Sequence, residues 1–593
     1  MTISQRIDAL RARMREAELT AYVIPSSDPH QSEYPPEHWK SRQWISGFEG
    51  SAGTVVVTLE RAGLWTDSRY YLEAEECLAG TPIELFRAGQ PEVPQYIDWL
   101  SRTLPAGSRV GFDAMVLSLE TARSLERGLA PAGIESVPSE DLIEPVWEDR
   151  PALPDAAAEL VEEHMFGESR GAKLARVRAA VNELDAEAHL IATLDDIAWT
   201  LNLRGKDVPY NPVVLAYLAV EEKGAVLFMD PAKLSEYDRS ALRREGVTLQ
   251  DYDAVWSYLS RLPQERSVLY DPQRVSAGLA HALPPHVVPV ERQNPSVALK
   301  ARKNRVELEH LRACMISDGV AMCEFLHWLE TTAPQGGLTE LDAARRLGEF
   351  RAARPAFVNA SFETIAGYGA HGAIVHYRVT DDSNARLEPG SLLLLDSGGQ
   401  YRNGTTDITR TVPIGVPNGE MRRDFTLVLR AHIALATTRF PTGTSGHQLD
   451  AIPRRPMWDA GINYGHGTGH GVGFFLNVHE GPQRISAMPN TVALEPGMVI
   501  SNEPGLYRAG RYGIRIENLV AVREEETTDF GTFLAFETLT LCPIDRELIE
   551  TAMLSSGERD WIDSYHGTVW ERLEGELAGD VRDWLEKKTR PLG

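Results

Sequence analysis

The sequence predicts an α+β protein made of two related α/β domains, a larger mixed domain and a small C-terminal extension. Three observations lead there. The chain has 593 residues, too many for one hydrophobic core at roughly 150 residues per domain. Helix-like and strand-like segments alternate through the first third, and the same order recurs in the second. The prolines Pro284, Pro285 and Pro289 then give way to a long stretch of helical periodicity. Hydrophobic residues at 43% and charged residues at 24% are ordinary for globular protein and exclude disorder as the dominant state.

The elements follow in order. Thr2 and Gln5 stand at capping-box spacing, and Ile3, Ile7, Leu10 and Met14 share one helical face. Ala21 to Ile24, Val55 to Val57 and Gly63 to Trp65 read as strands, with a helix through Tyr71, Leu72 and Ala74 behind them. In the second copy, Trp199 precedes an apolar run Val213 to Val220, a Lys223-Gly224 turn, the strand Ala225 to Met229 and Asp230. The first copy has Trp44, the valine strand, Gly63 and Asp67. Tryptophan and aspartate are 23 residues apart there and 31 in the second copy, a difference that one extra loop explains. Segment 148–172, with Pro151, Pro154 and several acidic residues, is expected to bridge the two.

Leu308, Leu311, Met315, Met322, Leu326 and Leu329 then predict a long helix opening the third domain, and Thr339 with Asp342 predicts the cap of another. A strand is expected at Thr538 to Leu541, then a polar helical tail packed through Trp561, Trp570 and Trp584. The expected domains are 1–150, 151–300, 301–528 and 529–593.

Sixty Lys and Arg against 85 Asp and Glu give a net charge of −25. That charge repels phosphate backbones and anionic lipid, so neither nucleic acid nor a membrane is an expected partner. Four cysteines, none in a C-x-x-C pair, argue against a disulfide framework or a cysteine zinc site and for a reducing compartment. The opening MTISQRIDAL lacks a signal-type apolar run, and no stretch approaches the ~18 apolar residues of a membrane span. The expected location is the cytoplasm.

Chemistry concentrates between residues 359 and 520. Apolar Leu392 to Leu395 lead into Asp396, and an Asn403-Gly404 turn separates that segment from Thr405-Thr406-Asp407-Ile408-Thr409-Arg410. A hairpin would bring Asp396 and Asp407 onto adjacent strands. Facing Cβ atoms are about 5 Å apart there, and two carboxylates that close raise a pKa unless a cation intervenes. Gly465-His466-Gly467-Thr468-Gly469-His470-Gly471 holds two histidines four apart. Its glycines disfavour a helix at about 1 kcal/mol each, and four extended residues span roughly 13 Å. Only one of the pair is therefore expected to be a metal ligand, with the other facing substrate. His479 follows in Val478-His479-Glu480-Gly481-Pro482.

Glu503 precedes Pro504 in an extended segment, and strand alternation sets Arg515 and Glu517 on the face opposite Ile514 and Ile516. Asp beside Gly is common in loops, and an isolated glutamate is ordinarily solvated, so the case rests on the set. Asp396, Asp407, His470, Glu503 and Glu517 suit two hard or borderline divalent ions with bridging carboxylates, a machinery for hydrolysis.

The ligand order Asp, Asp, His, Glu, Glu resembles that of the pita-bread metallopeptidases. Ile374-Val375-His376-Tyr377-Arg378, the His466 to Gly473 run, Val478 to Pro482 and Asn502-Glu503-Pro504-Gly505 are similar to the Xaa-Pro aminopeptidase (aminopeptidase P) branch. Ser27-Asp28-Pro29-His30, Ser46-Gly47-Phe48, Gly50-Ser51-Ala52-Gly53 and Trp65-Thr66-Asp67-Ser68-Arg69-Tyr70 match its long, three-domain cytosolic form. The resemblance runs from about residue 5 to 590. It implies two creatinase-like N-terminal domains before a pita-bread catalytic domain.

It also implies roles. Asp396 would bind one metal, Asp407 and Glu517 would bridge both, and His470 and Glu503 would hold the other. Glu503 would accept the proton of a bridging water. His376, His466 and His479 would line the substrate pocket, stabilise the tetrahedral intermediate and relay protons. Arg69 would reach substrate, and Arg515 would orient Glu517 or Asp396. The implied cofactors are two divalent ions, manganese by family preference, and the implied assembly is a homodimer. Two residues depart from the pattern. Glu49 replaces a usual threonine, and His371 a usual asparagine five residues before His376.

The expected reaction cleaves the bond between an N-terminal residue and a following proline, through a hydroxide held by both metals. A prolidase limited to Xaa-Pro dipeptides and a non-catalytic binding relative on the same fold are the alternatives.

Overall fold

The computed structural model describes residues 1–592. They form two compact units, one of residues 1–163 and 168–297, the other of residues 164–167 and 298 onward.

The first unit contains the predicted duplication. In the first copy the strands are β1 (Ala21–Pro25), β2 (Thr54–Thr58), β3 (Ala62–Thr66), β4 (Ile83–Arg87), β5 (Arg109–Asp113) and β6 (Glu135–Ser139). They lie in the order β4-β3-β2-β1-β5-β6. The second copy has β7 (Ala188–Ile191), β8 (Tyr217–Glu221), β9 (Ala225–Phe228), β10 (Val247–Gln250), β11 (Ser267–Tyr270) and β12 (Val288–Glu291). Their order, β10-β9-β8-β7-β11-β12, is the same. Directions match too: the central strand is antiparallel to its neighbour on one side (β1 to β2, β7 to β8) and parallel on the other (β1 to β5, β7 to β11). Trp44 and Trp199 sit on the equivalent helices Ser41–Ser46 and Leu194–Leu201. The loop from helix to strand spans residues 47–53 in one copy and 202–216 in the other, which is the extra length foreseen.

The opening helix Ile3–Glu16 has its capping box at Thr2 and Gln5 and buries Ile7, Leu10 and Met14. Two strands differ from expectation. Of the apolar run Val213 to Val220, only the part from Tyr217 onward joins a strand. Asp207 takes the backbone N–H of Leu215 at 2.8 Å, so that stretch is bonded to a side chain and not to a sheet neighbour. The strand expected at Thr538 to Leu541 lies earlier, at Gly531–Thr538. Its partner Asn518–Thr528 fixes it there, because their register ends at Val520 opposite Thr538. The turn of that hairpin is where the C-terminal extension was expected to start.

The bridging segment holds a short strand, Glu159–Leu160, paired with Leu203–Arg204. It then passes through Phe166, whose ring packs edge-on to Phe474 at 5.7 Å.

The second unit opens with the 28-residue helix Arg305–Thr332, capped by Asn304 with Glu307. Thr339 and Asp342 form the box of the helix Glu340–Ala352. Two antiparallel sheets carry the site. One has Ile365–Tyr368, Ser391–Ser397 and Ile408–Ile414, and the other includes Asn518–Thr528, Val499–Asn502, Gly469–Gly471 and Glu480–Ile485. Leu392 to Leu395 are all buried, so the strand leading to Asp396 has protein on both faces. In the tail, Trp584 donates to Glu330 at 2.9 Å, Trp561 stacks on Tyr565 at 5.3 Å and Trp570 lies under Arg582 at 5.0 Å.

Gly319, in the long helix, is where that tail fits closest. A Cβ there would lie 2.4 Å from the Leu541 carbonyl oxygen. Helix propensity alone would make Gly319→Ala stabilising by about 1 kcal/mol. The clash reverses the sign: we expect a loss of about 1–3 kcal/mol, measured as a lower urea midpoint.

Candidate metal centre

The five acidic and imidazole side chains singled out in the sequence all belong to the second unit. Asp396 stands one residue from the end of its strand, opposite Thr409, and Asp407 stands one residue before the paired strand Ile408–Ile414. They are thus diagonal neighbours across a hairpin. Glu517 follows the strand Tyr512–Arg515, and its backbone N–H bonds the Thr409 carbonyl at 3.1 Å. The Thr409 hydroxyl donates to Glu517 Oε2 at 2.8 Å. Glu503 leaves the strand Val499–Asn502 and bonds the Thr468 carbonyl through its N–H at 2.8 Å.

His470 lies on the short strand Gly469–Gly471, as the glycines require. A Cβ on Gly469 would lie 1.9 Å from the Ser501 carbonyl oxygen, so only glycine lets these two strands meet. Ser501 then ties two candidates together: its hydroxyl accepts the His470 N–H at 2.9 Å and donates to Glu503 Oε1 at 3.0 Å.

One ligand atom each from Asp407, His470 and Glu517 lies within 4.8 Å of the others. His470 Nδ1 is 2.9 Å from the Gly471 carbonyl oxygen and must donate to it, so in the neutral ring the lone pair is on Nε2. That Nε2 faces Asp407 Oδ2 at 3.4 Å and Glu503 Oε1 at 3.6 Å. Asp396 completes the group. Its Oδ2 accepts from Arg515 Nη2 at 2.6 Å, while its buried Oδ1 has no hydrogen-bond partner.

The electrostatics point to missing positive charge. Burial raises the pKa of Asp396; Arg515 opposes this and Asp407 adds to it. Burial, then Asp407, Glu503 and Asp396, drive Glu517 far above the usual carboxylate range. Burial pushes Glu503 up to about 7 against the pull of His470 and Arg515. Burial also works against a charged His470, yet Asp407 and Glu503 raise it to about 9. Carboxylates crowded out of water hold protons they would not otherwise keep. An orphaned Asp396 oxygen, an imidazole lone pair aimed at two carboxylates, and oxygen-rich donors fit divalent cations.

The remaining predicted residues are placed as follows. His376 is half-buried in the loop after Gly369–Ala373, next to Val375, whose carbonyl accepts from Arg515 Nη2 at 3.3 Å. The His479 ring stands edge-on to His470 at 4.4 Å. His466 directs Nδ1 to the Gly467 carbonyl at 2.8 Å and Nε2 to the Tyr507 hydroxyl at 2.8 Å. Both nitrogens therefore meet protein groups. Arg69 belongs to the first unit, where its guanidinium forks the Asp67 carboxylate at 2.8 and 2.7 Å. Arg515 reaches Asp396 directly and Glu517 through Thr409, which it contacts at 3.2 Å.

Sequence reasoning missed Tyr507, Thr409, Ser501 and Arg410. Tyr507 joins Arg515 Nη1, at 2.6 Å, to His466. Arg410 donates to the Glu517 carbonyl at 2.7 Å, Asn518 Oδ1 at 2.8 Å and the Cys542 carbonyl at 2.8 Å. Only the hairpin implied by Ala509-Gly510 carried a signal, since it sets Gly505 opposite Arg515.

Strands converging on carboxylates and one imidazole make the donor set of a divalent-metal site, and comparison with known families gives its class as metallopeptidase. Residues 309–524 match metallopeptidase family M24, residues 6–146 and 149–307 each match the creatinase/prolidase N-terminal domain, and residues 532–592 match the C-terminal region of peptidase M24. The chain belongs to metallopeptidase family M24. Among curated relatives, a probable Xaa-Pro aminopeptidase P of Laccaria bicolor is 40% identical over 99% of this chain and 94% of its own length. Aminopeptidase P2 of Arabidopsis thaliana is 40% identical over 100% of this chain and 89% of its own. The crystal structure of X-prolyl aminopeptidase from Caenorhabditis elegans, described as a cytosolic enzyme with a di-nuclear active site, superposes with a TM-score of 0.94. It is 33% identical and covers 100% of both chains.

Ser501 holds two candidate ligands and is expected to behave as an outer support. Ser501→Ala should weaken divalent-metal affinity about 10–100-fold with the fold intact, as read by metal titration calorimetry.

Proposed function

We propose that this chain is a metallo-aminopeptidase that removes an N-terminal residue from peptides with proline second. One observation carries the reading: five separated residues, Asp396, Asp407, His470, Glu503 and Glu517, come together in one buried acidic site of the second unit. Full-length similarity to aminopeptidases P supports the choice of substrate.

In this reading Asp396 would hold one ion and His470 with Glu503 the other, and Asp407 and Glu517 would serve both. Two divalent ions, when bound, lower the pKa of water towards ~7 and polarise the scissile carbonyl. Glu503 would take the proton released by the attacking water, its Oε1 lying 3.6 Å from His470 Nε2 at the edge of the acidic group. The Xaa-Pro bond is a tertiary amide, so its nitrogen leaves only once protonated, and His376 and His479 are the groups proposed to supply that proton. His466 acts through Tyr507, to which its Nε2 is committed. A substrate contact by Arg69 is proposed from its motif alone.

Manganese as the metal, a homodimer and a cytoplasmic location are further proposals, drawn from the family resemblance. No helix among the described residues is long and apolar enough to cross a membrane.

The test is a manganese-dependent assay on short peptides, with alanine in place of proline as control. Cleavage of Arg-Pro-Pro but not of the alanine peptide is expected; cleavage of Gly-Pro alone would favour the dipeptidase. Asp407→Ala and His470→Ala should each abolish hydrolysis with circular dichroism unchanged. Near-normal turnover by both variants would refute the site.

A further inference from the structure

We propose that Glu340 is a positioning residue which, through Tyr377 and His371, clamps the loop carrying His376. The proposal deepens the aminopeptidase reading and rests on it for the role of His376.

Glu340 opens the helix Glu340–Ala352 and is completely buried. Among the described residues, no lysine or arginine is bonded to its carboxylate. Instead it gathers donors from one stretch of chain, residues 368–385. Oε1 accepts the Tyr368 N–H at 2.7 Å and His371 Nδ1 at 2.9 Å. Oε2 accepts the Tyr377 hydroxyl at 3.0 Å and the Ala385 N–H at 2.9 Å. The two backbone donors are the ends of the loop, and the two side chains come from its middle. The Glu340 N–H closes the ring by bonding the Ala385 carbonyl at 3.0 Å.

Such a carboxylate does more than cap a helix. A buried acceptor with four donors makes the loop conformation interdependent, because releasing any one donor leaves a polar group to be satisfied elsewhere. Tyr377 is the residue next to His376, so fixing its hydroxyl limits where the His376 backbone can go. From the other side, Arg515 holds the Val375 carbonyl at 3.3 Å. His376 is therefore bracketed: one neighbour is tied to the metal-site arginine, and the other to Glu340.

His371, the departure from the family pattern noted above, belongs to this clamp. Its ring lies on Tyr377 at 4.5 Å with a 24° tilt, and Nδ1 serves Glu340. Histidine at this position gives Glu340 a ring-nitrogen donor and lays an aromatic face on Tyr377.

Tyr377→Phe removes one donor and keeps the ring, so it tests the clamp without emptying the core. The activity arm is a double-mutant cycle with His376→Ala. Positioning through His376 predicts that Tyr377→Phe lowers kcat/KM about tenfold, mainly in kcat, and less than twofold once His376 is alanine. Equal losses in both backgrounds would overturn the proposal. The second arm is amide hydrogen exchange. Segment 368–385 should exchange faster in Tyr377→Phe, with metal content unchanged; unaltered exchange there would also overturn it. Were the unmodified protein unable to cleave Xaa-Pro peptides, the aminopeptidase reading would fall, and the exchange arm would still decide on the clamp.

Discussion

The second unit is organised around an electrostatic conflict. Asp396, Asp407, Glu503 and Glu517 are held within mutual repulsion, largely removed from water, with Arg515 as the cation bonded to the group. Removing a carboxylate from water costs several kcal/mol even after relaxation, and like charges nearby add to that cost. Such an arrangement survives only where something compensates the charge, and the donor types here suit divalent metal. Much of the surrounding structure serves to hold these side chains where they would not otherwise stay.

The holding is done by short, specific contacts. Thr409 fixes Glu517 by both its hydroxyl and its carbonyl. Ser501 fixes His470 and Glu503 together. Arg410 lies on the opposite side of its strand from Thr409 and ties the Glu517 backbone to Asn518, Cys542 and Tyr565. Through that guanidinium the C-terminal region becomes a brace behind the site. The close seat of Leu541 on Gly319 serves the same end, since it leaves the brace no room to shift.

How much of this was legible follows from how far each feature depends on neighbours in sequence. The proposed ligands could be singled out because each sits in a locally odd context: Asp396 after four leucines, His470 among glycines, Glu503 before a proline. The duplication could be found because strand order repeats with the chain. Arg410 could not, because its partners lie more than a hundred residues away and nothing near it marks an arginine as buried. Nothing near Glu340 in the sequence sets it apart from any first-turn acid, of the kind that favours a helix N-terminus. Only the tertiary return of residues 368–385 shows what it binds. The strand Gly531–Thr538 was misplaced for a related reason: apolar alternation continues past Thr538, but the paired register ends there, opposite Val520.

The two histidines of the glycine-rich segment show how one local device yields two functions. In both, Nδ1 meets the carbonyl of the next residue, Gly467 for His466 and Gly471 for His470. That bond sets the same tautomer and leaves Nε2 as the acceptor in each case. The difference lies in what the fold brings to Nε2. At His470 it brings Asp407 and Glu503, two oxygens with no proton to give when ionised, and the lone pair is left for a cation. At His466 it brings the Tyr507 hydroxyl, which itself accepts from Arg515 and so must turn its proton towards the imidazole. The lone pair is thereby spent on the protein. The repeat of histidine and glycine fixes the chemistry available at both positions, and what the fold brings to each Nε2, from upstream at Asp407 and from downstream at Glu503 and Tyr507, decides which of them keeps a lone pair for a cation.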